Sequence, residues 1–315
     1  MSENKIIIAG GSGFIGQALA RYYAGKDWKV VILSRRPGAS SGNQPQKAAQ
    51  AGQIMELPWN AATPGPWAMA LENAALMVNL TGKGISCRHT PENRKTILES
   101  RVNSVAAITA AINRTRQPPA VWVQASAIGF YGNSGDDVCT EETAAGTDFL
   151  AETCAAWENA LHAAATPATR RIIVRIGLVL GSHGGLLEPL AKITRLGLGG
   201  TVGSGQQWMS WIHLADIVGI IEWLAQERMA QGIFNATAPN PMRNKDFMAA
   251  LRKALHRPWS PPAPAFAVRL GSRLMGTQGD LALAGCRAIP QRLLQAGFSF
   301  SFVTLPSALR DCVGK

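Results

Sequence analysis

The glycines at 10, 13 and 16, set directly between an apolar run and a helical pattern, constrain this chain more than any other feature. Ile6-Ile7-Ile8-Ala9 carries no charge and is rich in β-branched residues, as a strand buried on both faces of a parallel sheet requires. After the glycines, Ile15, Leu19 and Tyr22 fall at helical spacing, and Gly25 is placed to end the helix. A strand–turn–helix of this kind aims backbone N–H groups and the positive end of a helix at a diphosphate. Gly10 then permits the tight turn, Gly13 lets phosphates approach the backbone, and Gly16 lets the helix pack close to the strand. The same triplet would also serve a turn with no ligand; the strand and helix that flank it favour a dinucleotide.

The second strand is expected over Trp28–Leu33, and it runs into Ser34-Arg35-Arg36. In a dinucleotide fold this strand end faces the adenosine ribose, where an acid would bind the 2′-hydroxyl. A hydroxyl and two guanidiniums suit a 2′-phosphate instead, so NADP(H) is the expected cofactor; an ordinary basic loop is the other reading. Residues 38–52 read as a loop or ragged helix, Ile54–Leu57 as a third strand, and Ala75–Leu80 as a fourth. Thr81-Gly82 follow, small enough for a cofactor to lie against the backbone. Thr90-Pro91-Glu92 opens a helix to about Asn113, with Leu98, Val102, Val105, Ile108 and Ile112 expected to face inward. Arg101, beside that stripe, either faces solvent or reaches the cofactor.

Val121–Ser126 reads as a fifth strand, and Leu150, Cys154, Trp157 and Leu161 mark a helix that starts after Asp148. Arg171–Leu180 is expected as one continuous sixth strand and Gly232–Ala236 as a seventh. No apolar run reaches the roughly 18 residues that span a bilayer. The five cysteines form no CxxC pair or metal-like cluster, and reduced thiols suit the cytosol. Residues 241–315 hold eleven Lys/Arg against three Asp/Glu, a net +8 of the chain's +11. The basic residues are scattered singly, which favours a solvated basic surface, or attraction for an anionic cofactor or substrate, over nucleic-acid binding. The expected partner is a small-molecule substrate, not nucleic acid or a membrane; the pattern carries no signal of oligomeric state.

The glycine motif, the serine that ends the fifth strand and Ser126-Ala127-Ile128-Gly129-Phe130-Tyr131-Gly132 together resemble the extended short-chain dehydrogenase/reductases. Asn79-Leu80-Thr81-Gly82, Ser100-Arg101-Val102, Asp148 through Glu152, Trp157-Glu158, Gly197 through Gly205 and Trp211-Ile212-His213 are similar to an atypical branch of them. That branch is epimerase/dehydratase-like and includes bacterial proteins called nucleoside-diphosphate sugar epimerases. Ile289-Pro290 and Gly297-Phe298 resemble its small C-terminal domain. The resemblance implies an α/β fold: a Rossmann-type doubly wound parallel sheet with a smaller C-terminal substrate lobe. The NADP(H) domain would span residues 1–180 with a returning segment at about 211–238, and the lobe 181–210 and 239–315. It also implies Gly10, Gly13, Phe14, Ile15, Gly16, Ser34, Arg35, Leu80, Thr81 and Arg101 as cofactor contacts, with Leu178 beside the nicotinamide; Arg36 and Gly82 join them from the reading of the strand ends above. The implied function is an oxidoreductase or epimerase on a small carbonyl, hydroxyl or sugar-nucleotide-like substrate.

Two departures bear on that function. Relatives of this superfamily carry Tyr-x-x-x-Lys on the helix after the serine, where the lysine's charge lowers the tyrosine's pKa for proton exchange. With Trp157-Glu158 as the register mark, those positions fall on Leu150 and Cys154. Ser126 and Tyr131 are the remaining candidate catalytic hydroxyls, although the loop tyrosine of related proteins is usually structural. An NADP(H)-binding regulator or scaffold is therefore the rival reading. Secondly, the arginine that grips the diphosphate in nucleotide-sugar epimerases falls on Met209, next to Ser210, and a methionine cannot do that. His213 is expected to orient the turn into Asp216, read as a helix cap.

Overall fold

β1 (Glu3–Ala9) holds Ile6, Ile7, Ile8 and Ala9 with no exposed surface. Burial on both faces requires a paired strand on each edge and a helical layer above and below. The computed structural model describes residues 3–38, 54–257, 259–274, 276 and 278–314. Apart from Gly38, the loop expected over 38–52 lies outside the described residues, as does Pro258 of the proline-rich segment.

The chain continues through α1 (Phe14–Ala24), β2 (Lys29–Ser34), β3 (Ile54–Pro58), β4 (Ala74–Asn79), α2 (Pro91–Ile112) and β5 (Val121–Ala127). Next come β6 (Val138–Cys139), α3 (Phe149–His162), β7 (Arg170–Ile176), β8 (Leu178–Leu180), α4 (Leu187–Arg195) and β9 (Trp208–Met209). β10 (Trp211–His213), α5 (Leu214–Gln226), β11 (Gly232–Ala236), β12 (Met242–Arg243) and α6 (Asn244–Ala254) follow. The last elements are α7 (Ala265–Leu274), β13 (Arg287–Ala288), α8 (Gln291–Gln295) and α9 (Leu305–Val313).

Seven strands form one parallel sheet in the order β11-β7-β5-β4-β1-β2-β3. The chain moves outward from β1 in one direction and then returns to build the other half, so a crevice opens at the carboxyl ends of β1 and β4. Alternate residues of the central strands supply the two faces. Ile6, Ile8, Val30 and Ile32 pack with Leu19 and Tyr23 of α1 and Ile217 and Ile221 of α5. Ile7, Ala9, Val31 and Leu33 share the opposite core with Val105 and Ile108 of α2 and Trp157 and Leu161 of α3. A third core joins Leu180, Met209 and Trp211 to Phe247 of α6 and to Leu305 and Leu309 of α9.

Three local expectations need correction. The sixth strand is not continuous: β7 stays in the main sheet, whereas β8 leaves it to pair with β10. The break is at Gly177, where a Cβ would stand 2.6 Å from the Ser210 carbonyl oxygen, so only a glycine lets the chain step across. Gly25, by contrast, ends α1 as expected, although with a φ of −69° and not in a left-handed conformation; Asp27 takes the positive φ of 60°. On α2 the buried stripe is Ile97, Ser104, Val105, Ala107, Ile108, Ala111 and Ile112, with Leu98 and Val102 half-buried at its edge. Finally, His213 itself caps α5, its Nδ1 accepting from the Ala215 N–H at 3.2 Å. Asp216 instead lies inside the first turn, buried, and accepts the backbone N–H groups of Ser301 and Phe302 at 2.7 and 3.1 Å.

No described helix is long and apolar enough to cross a membrane. α1 meets β1 at Gly16, where a Cβ would lie 2.5 Å from the Gly11 Cα and 2.7 Å from the Gly10 carbonyl oxygen. Helix propensity favours alanine over glycine by about 1 kcal/mol, but both obstacles are backbone and cannot rotate away. Gly16→Ala is therefore expected to destabilise the protein by about 1–3 kcal/mol net, the usual cost of overpacking. A urea unfolding midpoint that is unchanged or raised would contradict this account of the contact.

Candidate active site

The crevice is built from glycines and strand ends. Gly10 holds a φ of 76°, and a Cβ there would sit 3.0 Å from the Leu80 carbonyl group and 3.2 Å from the Thr81 nitrogen. The β1 turn and the end of β4 thus touch through bare backbone. Gly13 is the N-cap of α1, with no side-chain cap and no acidic residue in the first turn. The helix therefore presents uncapped N–H groups and its positive end to the crevice. Phe14 turns its ring toward Gly181, Gly184 and Gly185, where Cβ atoms would lie 2.7–3.0 Å from the ring, while Ile15 packs on the core.

Beyond β2, Ser34 is buried and its Oγ accepts the Arg36 N–H at 3.2 Å, holding the turn. Arg35 and Arg36 are exposed, and among the described residues neither guanidinium has a hydrogen bond or ion pair. At the end of β4 the Thr81 N–H donates to Asn79 Oδ1 at 3.1 Å, but the buried Thr81 Oγ1 has no partner. Arg101 lies against Gly82, whose Cβ would be 3.0 Å from the guanidinium carbon. Its Nη1 donates to the carbonyls of Lys83 and Ile97 at 3.1 and 2.9 Å, and it stacks 5.1 Å from the Trp157 ring centroid. Burial pulls the Arg101 pKa below its ordinary value, with Cys154 close enough to oppose that shift. Leu178 begins β8, its N–H donating to the Ser210 carbonyl at 2.9 Å.

These pieces fit a dinucleotide. A glycine-lined turn at a helix start offers donors to a diphosphate, the buried Thr81 hydroxyl lacks a partner, and two guanidiniums unpaired among the described residues follow the second strand, where a 2′-phosphate would lie.

The other end of the crevice is a buried polar network. Ser126 Oγ donates to Glu158 Oε1 at 2.6 Å. Glu158 is held by two parallel bonds from Arg175, from Nε to Oε1 at 2.9 Å and from Nη2 to Oε2 at 2.8 Å. Arg175 is 2 % exposed and lies 3.4 Å from the Phe130 ring centroid. Its Nη1 donates to the Tyr131 hydroxyl at 3.0 Å, and that hydroxyl faces two acceptors, Asn235 Oδ1 at 2.7 Å and the Thr140 carbonyl at 2.8 Å. Burial pushes the Tyr131 pKa up to about 12 against the lowering effect of Arg175. Leu150 and Cys154 both face Gly129, whose Cβ would be 3.9 Å from each. Burial pushes the Cys154 thiol up to about 11, so at neutral pH it is an uncharged group. Met209 is buried in the third core, and Ser210 Oγ donates to the Cys286 carbonyl at 2.8 Å while accepting the Ala288 N–H at 2.9 Å.

Glu158, Arg175 and Asn235 received no role in the sequence analysis. The signal was present: Arg175 interrupts the apolar run Ile172–Leu180, and Glu158 follows Trp157 on the inward face of α3. Opposite charges inside two apolar patterns ask for each other.

A parallel sheet that reverses its strand order beside a glycine-lined helix start is the architecture of a dinucleotide-binding α/β protein. Comparison with known proteins narrows that class. Residues 6–236 match the NAD dependent epimerase/dehydratase family, and residues 263–312 match a domain of unknown function, DUF1731. The chain belongs to the NAD-dependent epimerase/dehydratase family. It is 33% identical over 311 residues to the chloroplastic epimerase family protein SDR39U1 homolog of Arabidopsis thaliana, covering 98% of this chain and 86% of that one. Epimerase family protein SDR39U1 of Mus musculus is 31% identical over 314 residues, covering 98% and 99%. The crystal structure of human epimerase family protein SDR39U1 (isoform 2) with NADPH superposes with a TM-score of 0.84 at 29% identity, covering 99% of both chains.

Removing one partner of a buried ion pair leaves an uncompensated charge, which typically costs about 3–5 kcal/mol. Glu158→Ala is expected to lose that much stability in urea unfolding, and Tyr131→Phe about 1–3 kcal/mol from donors and acceptors left unmatched. A Glu158→Ala protein within about 1 kcal/mol of the parent would show that Arg175 does not depend on this carboxylate.

Proposed function

We propose that this protein binds NADP(H) and is an oxidoreductase or epimerase-like enzyme acting on a small carbonyl or hydroxyl compound. The observation that carries the reading is the glycine cradle at the start of α1, where Cβ atoms at Gly10 and Gly16 would strike backbone. Gly10, Gly13, Phe14, Ile15 and Gly16 hold the diphosphate from the β1 side, and Leu80, Thr81 and Gly82 support the cofactor from the β4 side. Ser34, Arg35 and Arg36 take the 2′-phosphate by charge-assisted hydrogen bonds. The human relative's complex with NADPH supports the phosphorylated cofactor over NAD(H). Bound there, NADP(H) supplies or accepts a hydride at its nicotinamide ring.

Arg101 and Leu178 flank the nicotinamide end. Arg101 is a cation within electrostatic reach of Cys154, which stands at the position of the absent lysine. Ser126, next to last in β5, orients substrate through a hydroxyl fixed by Glu158. Tyr131 remains protonated far above neutral pH, and its hydroxyl is bound on three sides. Its role is to hold Arg175 and, through Glu158, Ser126, so it is a positioning residue. Five free cysteines suit a reducing, cytosolic compartment. One observation favours a second reading, a dinucleotide-binding regulator: Leu150 and Cys154 supply neither an acid nor a fixed charge.

Calorimetric titration is expected to give NADPH an affinity on the order of tenfold or more above NADH, because charge-assisted contacts are lost with the 2′-phosphate. Replacing Arg35 and Arg36 with alanine should erase most of that difference. Equal affinities in the unmodified protein would overturn the NADP(H) assignment.

A further inference from the structure

The C-terminal region supplies a guanidinium that has no hydrogen-bond acceptor among the described residues. Arg287 opens β13, which runs parallel to β6, and the next residue, Ala288, is fully buried. Strand alternation sends Arg287 to the other face, where its guanidinium carbon lies 4.7 Å from the centroid of the Trp208 ring. Arg243 stacks on the same ring at 4.2 Å. Arg243 is matched, because it pairs with Asp136, which also accepts the Trp208 indole N–H at 3.0 Å. Arg287 makes no such bond and contributes only a longer-range attraction to Asp136. Among the described residues its side chain makes no hydrogen bond and no ion pair, and its Nε is sealed from solvent without an acceptor. An arginine carries five donors, and a sealed donor left without an acceptor is costly, so this arrangement suits a group that arrives with its own oxygens.

The position of β13 gives that group a place. The Cys286 thiol donates to the Ile128 carbonyl at 3.5 Å, two residues beyond Ser126. The Cys286 carbonyl accepts from Ser210, whose own carbonyl accepts the Leu178 N–H. Arg287 is therefore anchored, through its neighbour, to the two strand ends between which substrate would lie. Met209, also in this region, is buried and brings no charge.

We propose that Arg287, stacked on Trp208, binds an anionic oxygen group, a carboxylate or a phosphate, at the far end of the substrate. This deepens the reading of the crevice as an NADP(H)-dependent site and rests on it for the orientation of the substrate. The planar guanidinium meets such a group with paired hydrogen bonds, and the indole face holds it in one plane.

The test is calorimetric titration of the full-length protein, with and without saturating NADPH, using glucose, glucuronate and glucose 6-phosphate. At least one anion is expected to bind about tenfold or more tighter than glucose; which one does so distinguishes carboxylate from phosphate. Arg287→Met, which keeps the stem over Trp208, should bring that anion to the level of glucose and leave NADPH affinity unchanged. Arg287→Lys should retain part of the preference. In the unmodified protein the NMR signal of the Trp208 indole N–H should move on adding the anion and stay fixed on adding glucose, a readout that needs no folded variant. Anions that bind no better than glucose, or a preference that survives in Arg287→Met, would overturn the proposal. A protein that fails to take up NADPH would instead sink the functional reading, and the titration without cofactor would still decide Arg287.

Discussion

Arg175 sits at the carboxyl end of β7 with 2 % of its surface exposed, and a charge in that position must be neutralised where it stands. Glu158 does this with two parallel hydrogen bonds from α3. Everything at the carboxyl end of β5 then follows from that pair. The second carboxylate contact fixes Ser126, the remaining guanidinium nitrogen fixes Tyr131, and Tyr131 reaches across to Asn235 on β11. Asn235 in turn donates to Glu141 and to the Ile289 carbonyl, which draws the residues after β13 onto the sheet. A single ion pair therefore couples α3, β5, β7, β11 and the C-terminal region. Hydrophobic residues of equal volume would pack as stably, but they would leave those polar groups without partners.

The two ends of the crevice contrast in how fully they are satisfied. On the Ser126 side the hydroxyls and the buried charges are matched within the protein. On the β1 and β4 side donors and hydroxyls stand idle: the α1 start has no side-chain cap, Thr81 Oγ1 has no partner, and Arg35 and Arg36 have none among the described residues. Buried polar groups in folded proteins are nearly always paired, so this imbalance marks the half of the crevice that expects a ligand. Arg287 repeats the pattern on a smaller scale at the opposite wall.

The features legible in the sequence are those governed by neighbours in the chain. The start of α1 after the glycines, the Thr90 cap with Pro91 and the start of α3 after Asp148 all depend on contacts within a few residues, and each stands as expected. What could not be read depends on contacts far apart. Gly177 looks like one glycine inside an apolar strand until the Ser210 carbonyl is seen pressed against it. Asp216 has the sequence of a cap, yet its partners are backbone groups at 301 and 302. On α2, Val105, Ile108 and Ile112 are buried as expected, whereas Ser104, Ala107 and Ala111, small enough for close packing, carry little hydrophobic signal of their own. Glu158 and Arg175 were visible as charges in apolar patterns, but only the fold makes them a pair.

The central claim is that the idle half of the crevice is a built site for NADP(H). Native mass spectrometry of protein purified without added cofactor tests it most directly. The account predicts a mass increment corresponding to NADP(H), either as purified or after incubation with NADPH. An increment for NAD(H) in its place, or an unliganded mass that persists after incubation with NADPH, would contradict it.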